Sequence, residues 1–479
     1  MREKLKLNSL LEGIINEELL SSIEIQGISV DSTRVNQNDL FVAISGYQQD
    51  GHDFIDNAIK AGATAIVGEK EISDLTVPYI KVANSRLALA TIAGNFYKHP
   101  SRAKKLIGIT GTNGKTTTSF MLKHILEEAG LSCSLFGSVF NVVNGQVSSS
   151  KHTTLNALEL QRQLYISEDD VIIMEVSSHG LSQFRVEGIK FDYCLFTNLD
   201  EEHLDYHKDM EEYFSVKASL FNKLKLNGSA IVNAYNSWGE KLIDKLKGNV
   251  SNIVTMGEGT KHDLQIILKK NKEGSSTLLN QRNKRHELKL KMLGYHNIYN
   301  AAMAFLTAKE LGIEENSIIR SLETLKGVPG RFEIIQAPEQ ATFVIDYAHT
   351  ADAFYHCLKT ARDSGAKRIY HVFGFRGNRD ENKRQAMINT SNELSDLSIL
   401  TFDDLNDVSA EEMETTLRKL NVQEKGIVIP DRTLAIKFAW TYASKGDWVI
   451  ITGKGVETYQ ELYEIPTSSD KETIEYLLQ

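Results

Sequence analysis

Short runs of apolar residues, separated by polar or glycine-containing segments, recur along the whole chain. Before residue 100 these runs fall at residues 28–30, 39–44, 63–67 and 79–82, with a helical stretch at about residues 54–61. Apolar runs of this length between polar loops are typical of buried strands. They predict a small α/β domain at the start of the chain.

A second group of apolar runs predicts a mostly parallel sheet in the middle of the chain. These runs lie at residues 106–110, 171–176, 194–199 and 230–232, and glycine, polar or acidic residues follow them. Both faces of a parallel sheet are buried, and its functional loops follow the carboxyl ends of the strands. We therefore expect the residues after these runs to form a site.

The last third of the chain repeats this alternation. Strand-like runs at residues 342–345, 368–373, 398–402 and 448–451 alternate with helical stretches, and each leads into a charged or glycine-containing loop. This order is typical of a Rossmann-like domain.

Turn-rich segments near Pro100 and near residues 327–330 separate the three groups of runs. The chain has 479 residues, which is enough for about three domains of ~100–200 residues each. We predict an α/β protein with domains at residues 1–100, 101–329 and 330–479.

Composition narrows the class of protein. Hydrophobic residues make up 41% and charged residues 24%, as in globular proteins. The formal net charge of -9 gives no bulk positive field that could bind nucleic acid.

The cysteines Cys133, Cys194 and Cys357 are too widely spaced for a ligand motif and fit buried thiols in a reducing cytoplasm. No apolar stretch approaches the ~18–20 residues of a membrane span. We expect a cytoplasmic monomer without targeting or membrane insertion.

A glycine-rich loop connects the strand at residues 106–110 to an amphipathic helix at about residues 115–128. Residues 111–117 read Gly-Thr-Asn-Gly-Lys-Thr-Thr, so backbone N–H groups and the helix N-terminus can cradle phosphates, Lys115 can neutralise them, and Thr116 can bind Mg²⁺. Ile109 stands where the longer phosphate-loop pattern has its first glycine. The loop predicts an ATP or GTP site; the alternative is a glycine turn that only joins strand to helix.

Acidic and histidine residues follow two later strands of the predicted sheet. Glu175 opens the segment 175–180, and His203 and His207 lie in the next such segment. A carboxylate opposite a phosphate loop can hold Mg²⁺. The two histidines could suggest zinc, but Leu204 stands where a zinc protease has glutamate. On its residues alone, His203 is either a functional group or a satisfied surface side chain.

Together, residues 111–117, 175–180, 203–207 and 213–218 resemble the motifs of the Mur ligases. The resemblance spans nearly the whole chain and is closest to the type that adds the third residue of the peptidoglycan stem peptide. Residues 31–34 and 50–55 are similar to the uridine-nucleotide domain of that type, residues 294–300 to its segment near the adenine, and residues 330–333, 346–350, 377–384 and 453–457 to its C-terminal motifs.

The resemblance implies roles for individual residues. It implies that Lys115, His203 and Lys217 are catalytic, and that Thr116, Glu175, His203 and Lys217, the last as a CO₂-derived carbamate, hold Mg²⁺. The nucleotide residues that it implies are Gly111, Thr112, Asn113, Gly114, Lys115, Thr116, Thr117, Asn300, Arg331 and Asp346. The substrate residues that it implies are Ser32, Thr153, Thr154, Ser177, Gln183, Arg185, Arg379, Asp403, Asn406, Gly453 and Glu457. Without the resemblance, Lys217 would be interpreted as a solvated helix lysine.

The chain departs from the family pattern near the implied amino-acid pocket. Members that add meso-diaminopimelate carry Asp-Asn-Pro-Arg where this chain has Asp403-Asp404-Leu405-Asn406. The arginine that binds the second carboxylate is missing, so meso-diaminopimelate is disfavoured as the acceptor. The pattern of the lysine-adding members is absent too. Leu155 and Ala351 replace prolines, Arg376 enters a glycine-rich loop, and Val456 replaces a histidine. Arg376 and Val456 border the pocket, which indicates altered acceptor specificity.

The resemblance implies that ATP with Mg²⁺ phosphorylates UDP-MurNAc-L-Ala-D-Glu and that a free amino acid then attacks the acyl phosphate. Two other functions stay open at this point. Folylpolyglutamate synthetases share the central and C-terminal plan but lack the uridine domain that residues 31–34 and 50–55 indicate. A non-catalytic sensor of UDP-peptides or nucleotides is the third hypothesis, although Lys115, Glu175, His203 and Lys217 are all present.

Overall fold

The structure is a computed structural model. It describes residues 4–15, 22–46, 49–150, 152–204, 206–269, 275–281, 284–337, 340–378, 381–421 and 426–479. The chain divides into two compact units. The first unit comprises Met1–Thr110, Leu131–Cys194 and Val216–Ser229, and the second comprises Gly111–Gly130, Leu195–Ser215 and Ala230–Gln479. The domain boundaries near residues 100 and 329 stay a prediction.

The first unit begins with a parallel four-stranded sheet. Its elements are β1 Leu5–Lys6, α1 Leu7–Leu10, β2 Glu24–Ile25, β3 Gly27–Ser29, β4 Asp39–Val42, α2 Ile55–Ala61, β5 Ala63–Gly68, β6 Tyr79–Lys81 and α3 Ser85–Phe96. The strand order is β3-β4-β5-β6, all parallel, and β1 pairs antiparallel with β2. One face packs against α1 and α3 and the other against α2. The predicted strands and α2 are present within two residues, whereas α3 was not predicted.

The middle of the chain forms a second parallel core. Its elements are β7 Lys105–Thr110, α4 Lys115–Glu128, β8 Cys133–Phe136, β9 Phe140–Val143, β10 Gln146–Ser149, α5 Ala157–Ile166, β11 Val171–Glu175, α6 Ser178–Ser182, β12 Phe191–Phe196, α7 Met210–Ala218, β13 Leu224–Asn233 and α8 Ser237–Leu246. Strand β11 pairs parallel with β7 and β8, and β9 and β10 form an antiparallel hairpin. Glu175 is therefore the last residue of a buried strand.

The second unit continues through an antiparallel segment to a helical pair. Its elements are β14 Asn252–Gly257, β15 Leu264–Leu268, β16 Ser276–Gln281, β17 Lys284–Lys289, α9 Tyr295–Glu310 and α10 Glu315–Thr324. Strands β15, β16 and β17 pair antiparallel, which the sequence did not predict. Helix α9 buries nearly every residue from Asn297 to Ala308.

The last part of the second unit is doubly wound, as predicted. Its elements are β18 Glu333–Gln336, β19 Thr342–Asp346, α11 Ala351–Asp363, β20 Ile369–Phe375, α12 Asn382–Leu394, β21 Leu397–Phe402, α13 Ala410–Leu420, β22 Gly426–Val428, α14 Arg432–Tyr442, β23 Trp448–Thr452 and α15 Asp470–Leu477. The strand order is β18-β19-β23-β20-β21-β22, parallel except for β18. Helices α11, α12 and α13 cover one face, and α14 and α15 cover the other.

The α/β fold class with parallel sheets is thus confirmed. Within the described ranges, no helix combines the length and apolar character needed to cross a membrane.

Candidate active site

The phosphate loop is held tightly by two glycines with left-handed backbone angles. Gly111 has a φ of 145°, and a Cβ there would lie 1.9 Å from Thr197 Oγ1. Gly114, which precedes α4, has a φ of 84°, and a Cβ there would lie 2.2 Å from Asn300 Oδ1. Only glycine fits both the angles and the space at these two positions.

The functional side chains of the loop point to defined partners. Lys115 Nζ donates hydrogen bonds to the carbonyl oxygens of Gly111 at 2.9 Å and Thr112 at 2.8 Å. Arg331 Nη2 donates to Thr116 Oγ1 at 3.1 Å. The loop therefore gathers two cations and a hydroxyl at the N-terminus of α4, which is a suitable environment for an anionic phosphate chain.

A cavity of about 220 Å³ adjoins the loop. Asn113, Gly114 and Thr117 line it from the loop, and Asn300, Arg331 and Asp346 line it from other parts of the second unit. Six of the ten predicted nucleotide residues thus line one space, whereas Gly111, Thr112, Lys115 and Thr116 do not line it. Tyr295, His296 and Tyr299 also line it and belong to the 294–300 segment that the resemblance places near the adenine. Other lining residues, which sequence reasoning missed, are Tyr235, Asp352, His356 and Cys357.

Two tyrosines give the cavity an aromatic wall. The ring centroids of Tyr235 and Tyr299 are 5.2 Å apart, and Tyr299 Oη donates to Glu258 Oε1 at 2.5 Å. A flat aromatic surface beside a phosphate loop can stack on a nucleobase. Tyr235 comes two residues after the end of β13, so the strand-end rule that identified Glu175 could also have identified it.

Acidic residues line the same cavity close to the loop. Asn113 Nδ2 donates to Asp352 Oδ2 at 3.2 Å, and Asp200 lies beside it. Burial, together with the negative charge of Asp352, raises the pKa of Asp200 to about 6. Glu202 behaves oppositely, because its neighbours His203 and His349 outweigh burial and hold its pKa well below the usual range.

Asp200→Asn is expected to stabilise the nucleotide-free protein at high pH. The pKa of Asp200 is raised to about 6 in the folded state, from 3.8 in the unfolded state. Its contribution to stability is therefore fully present below the unfolded-state pKa and is lost as the pH rises through the folded-state pKa. Asparagine removes that loss. After discounting for solvent screening, we expect a gain of roughly 2 kcal/mol in unfolding free energy at pH 8 and almost none at pH 4.

Chemical denaturation at the two pH values measures this effect. Asp244→Asn, at an exposed residue paired with Lys247, is the control and is expected to show no such pH-dependent gain. An equal gain from Asp200→Asn at pH 4 and pH 8 would contradict the expected ionisation.

A second group of predicted residues comes together in the first unit. Glu175 is fully buried and accepts hydrogen bonds from the Ser138 backbone N–H at 3.1 Å and its hydroxyl at 3.2 Å. Thr153 Oγ1 lies 3.0 Å from the Ser138 hydroxyl. Ser138 is a partner that the sequence did not indicate, and it fixes the orientation of the carboxylate.

Four of the implied substrate residues of this unit form one hydrogen-bonded cluster. Arg185 Nη1 donates to the Thr154 carbonyl at 2.7 Å, and Nη2 donates to Gln183 Oε1 at 2.8 Å. The hydroxyls of Thr154 and Ser177 are 3.1 Å apart. Gln183 and Thr154 therefore position the guanidinium of Arg185, a group well suited to an anionic ligand.

Two further predicted residues of this unit occupy contrasting environments. Ser32 begins a short 3₁₀ turn, where Asp31 accepts a hydrogen bond from the Thr33 N–H, and is half-buried. Lys217 in α7 is only 1% exposed, so the interpretation as a solvated helix lysine is wrong.

The implied acceptor residues lie after the carboxyl ends of the parallel strands in the second unit. Asp403 follows β21, Gly453 follows β23, and Glu457 lies in the same loop as Gly453. Lys454 Nζ lies 2.5 Å from Asp404 Oδ1 and 3.4 Å from Asp403 Oδ1. Asn406 Nδ2 donates to the Gly377 carbonyl at 3.1 Å. Arg379 lies outside the described residues.

Each unit offers an oxygen group that suits Mg²⁺ on chemical grounds. Thr116 in the second unit has a hydroxyl, and Glu175 in the first unit has a buried, oriented carboxylate; both are oxygen ligands of the kind that Mg²⁺ prefers. Among the residues that the structure describes, no group of three or more His, Cys, Asp or Glu side chains could hold a metal by itself.

Comparison with known proteins places this geometry in a family. Three family models match in order: the Mur ligase family catalytic domain at residues 24–97, the Mur ligase middle domain at residues 109–308, and the Mur ligase glutamate ligase domain at residues 330–455. The chain belongs to the Mur ligase family, the ATP-dependent peptide ligases of peptidoglycan synthesis.

Two curated relatives of similar length share a name. The UDP-N-acetylmuramoyl-L-alanyl-D-glutamate–2,6-diaminopimelate ligase of Alkaliphilus oremlandii is 38% identical over 95% of this chain and 94% of its own length. The protein of the same name from Aquifex aeolicus is 39% identical over 91% of this chain and 90% of its own length.

Solved structures agree with the fold. A structure of a ligase with that name superimposes with a TM-score of 0.68 at 27% identity, covering all of both chains. The MurF ligase of Thermotoga maritima in complex with ADP superimposes with a TM-score of 0.63 at 20% identity, over 89% of this chain and 93% of that one.

Proposed function

We propose that this enzyme adds an amino acid to UDP-MurNAc-L-Ala-D-Glu with hydrolysis of ATP to ADP and phosphate. The observation that carries the proposal is the cavity beside Gly114 of the phosphate loop, which Asn300, Arg331 and Asp346 also line. The names of the relatives support UDP-N-acetylmuramoyl-L-alanyl-D-glutamate as the substrate.

The reaction proceeds through an acyl phosphate. An oxygen of the terminal D-glutamyl carboxylate attacks the γ-phosphorus of ATP, and ADP leaves with the electrons of the broken P–O bond. The amine of the acceptor then attacks the acyl carbon, loses a proton, and expels phosphate together with that oxygen. A free carboxylate is a poor acylating agent, and the phosphate supplies the leaving group.

Lys115 and the backbone N–H groups of the phosphate loop stabilise the charge on the transferring group. Thr116 and Glu175 are the residues that would hold Mg²⁺, which neutralises phosphate charge when bound. Arg331 orients Thr116 through its hydrogen bond. We further propose that Lys217 is carbamylated and that His203 and this carbamate serve a second Mg²⁺; the burial of Lys217 would shield such a group from bulk water.

In the first unit, Ser32, Thr153, Thr154, Ser177, Gln183 and Arg185 are proposed to bind the UDP-sugar peptide. Arg185→Ala is expected to raise the KM for this substrate about tenfold or more while kcat changes less, because a charge-assisted contact to an anion is lost. Steady-state kinetics at saturating ATP measures the effect. Arg162→Ala, at an exposed arginine paired with Glu159, should leave KM unchanged; a pure loss of kcat in Arg185→Ala would contradict the assignment.

We propose that the acceptor is not meso-diaminopimelate, in contrast to the names of the relatives. That amino acid carries a second carboxylate, and Asn406 stands where the resemblance expects the arginine that binds it. The Asn406 amide is engaged with the Gly377 carbonyl, and Asp404 adds negative charge nearby. Arg379, Asp403, Asn406, Gly453 and Glu457 are the proposed acceptor residues. We also propose that the enzyme acts as a monomer in the cytoplasm.

The test measures phosphate release with ATP, Mg²⁺, bicarbonate and UDP-MurNAc-L-Ala-D-Glu over a panel of amino acids. Release driven by one amino acid, with a product that gains its residue mass, supports the proposal and identifies the acceptor. Preferred turnover of meso-diaminopimelate would contradict the acceptor proposal alone. Turnover of folates with glutamate would favour a folylpolyglutamate synthetase, and binding without any turnover would favour a sensor.

A further inference from the structure

Arg376 places a guanidinium among the carboxylates of the proposed acceptor pocket. It follows the last residue of β20, and its Nη2 donates a hydrogen bond to Glu457 Oε2. Its Nε lies 3.7 Å from Asp403 Oδ1 and 3.8 Å from Asp404 Oδ2. The side chain is 26% exposed, so it faces the loop ends rather than bulk solvent.

The loops on both sides fix this position. Arg384 Nη2 donates to the Arg376 carbonyl at 3.3 Å, and the Gly377 N–H donates to the Asp404 carbonyl at 2.9 Å. The guanidinium carbon also lies 5.7 Å from the centre of the Tyr347 ring. The position of Arg376 in the pocket is therefore fixed by its contacts.

Each carboxylate of this cluster already has a cation within ion-pair distance. Arg376 pairs with Glu457, and Lys454 pairs with Asp403 and Asp404. Lys454, Asp403 and Asp404 are buried. An incoming ammonium would have to displace Arg376 from Glu457, and an incoming carboxylate would have to draw Arg376 or Lys454 away from the carboxylates that they already pair with. Because breaking a partly buried ion pair leaves an uncompensated charge, both events are costly.

We infer that Arg376 determines acceptor specificity and that the acceptor is an amino acid with an uncharged side chain. The inference rests on the proposed function, because it requires Glu457 and Asp403 to face the acceptor. It goes beyond the exclusion of meso-diaminopimelate, since it also excludes lysine and ornithine. Arg376 acts by occupying the charged groups that would otherwise hold a charged side chain.

The test compares kcat/KM for glycine, L-alanine, L-serine, L-lysine, L-ornithine and meso-diaminopimelate in the wild type, Arg376→Met and Arg376→Lys. Methionine keeps much of the volume and removes the charge, which frees Glu457. We expect the wild type to prefer an uncharged amino acid, and Arg376→Met to shift the ratio of kcat/KM values towards lysine or ornithine by about tenfold or more. Arg376→Lys should keep the wild-type preference.

Arg418→Met, at an exposed arginine paired with Glu414, is the matched control and should change nothing. An active wild type whose preference is unchanged in Arg376→Met would overturn this inference and leave the proposed function standing. So would a wild type that prefers meso-diaminopimelate and loses it in Arg376→Met, because Arg376 would then bind the second carboxylate. A wild type that turns over no amino acid would overturn the proposed function as well.

Discussion

Lys115→Met is expected to lower kcat for ATP-dependent ligation by about 10³-fold, the scale of losing a charge that stabilises a transferring phosphoryl group. In the structure, the ammonium of Lys115 donates hydrogen bonds to two carbonyl oxygens of its own loop, those of Gly111 and Thr112. Methionine keeps the length and apolar stem of lysine, so the loop should keep its shape. Phosphate release under saturating substrates measures the effect.

The matched control is Lys123→Met on the same helix. Lys123 pairs with Glu127 one turn further along α4 and lines no part of the nucleotide cavity. Its replacement should leave kcat within about twofold, since such helix ion pairs are worth only a few tenths of a kcal/mol. Retention of wild-type kcat by Lys115→Met would show that the loop does not bind the transferring phosphate.

Glu175→Gln is expected to lower kcat by about 10²-fold or more and to raise the Mg²⁺ concentration needed for half-maximal activity. The substitution is nearly isosteric, and one amide oxygen can still accept a hydrogen bond from Ser138. It removes the charge that makes the side chain a ligand for a hard cation. Titration of Mg²⁺ at fixed ATP separates a metal effect from a general loss of activity.

Glu187→Gln serves as the control, because Glu187 is a half-buried partner of Lys223 in the same unit. It should leave the Mg²⁺ dependence unchanged. If Glu175→Gln lost activity with an unchanged Mg²⁺ requirement, the carboxylate would have a role other than holding the metal.

The local elements of the phosphate site were predictable from the sequence. The strand expected at residues 106–110 and the helix expected at residues 115–128 correspond to β7 Lys105–Thr110 and α4 Lys115–Glu128. Both signals are local, since a buried strand is apolar along its length, and α4 buries Met121, Leu122, Ile125 and Leu126 along one face. The glycine-rich loop marked the boundary between the strand and the helix.

Elements with weak local patterns were missed. Helix α3 Ser85–Phe96 buries residues around most of its circumference, so it has no amphipathic stripe to recognise. Strand β17 Lys284–Lys289 is almost entirely polar, and it becomes a strand by pairing with β16. Its conformation is decided by a partner strand rather than by its own side chains.

The same distinction explains which site residues were found. Lys115 and Glu175 lie in motifs next to strand ends, where spacing alone identifies them. The contact between Asn113 and Asp352 joins residues 239 positions apart, and the pairing of Arg376 with Glu457 joins loops after different strands. Such contacts depend on the order of strands in the folded sheet, which local sequence does not specify.

The transfer of an isotopic label tests the central claim most directly. UDP-MurNAc-L-Ala-D-Glu labelled with ¹⁸O in the terminal D-glutamyl carboxylate is incubated with the enzyme, ATP, Mg²⁺ and the acceptor identified by the panel, and the released phosphate is analysed by mass. If the carboxylate is activated as an acyl phosphate, each phosphate carries one oxygen from the substrate. Phosphate released without the label, while the ligated product forms, would contradict the mechanism.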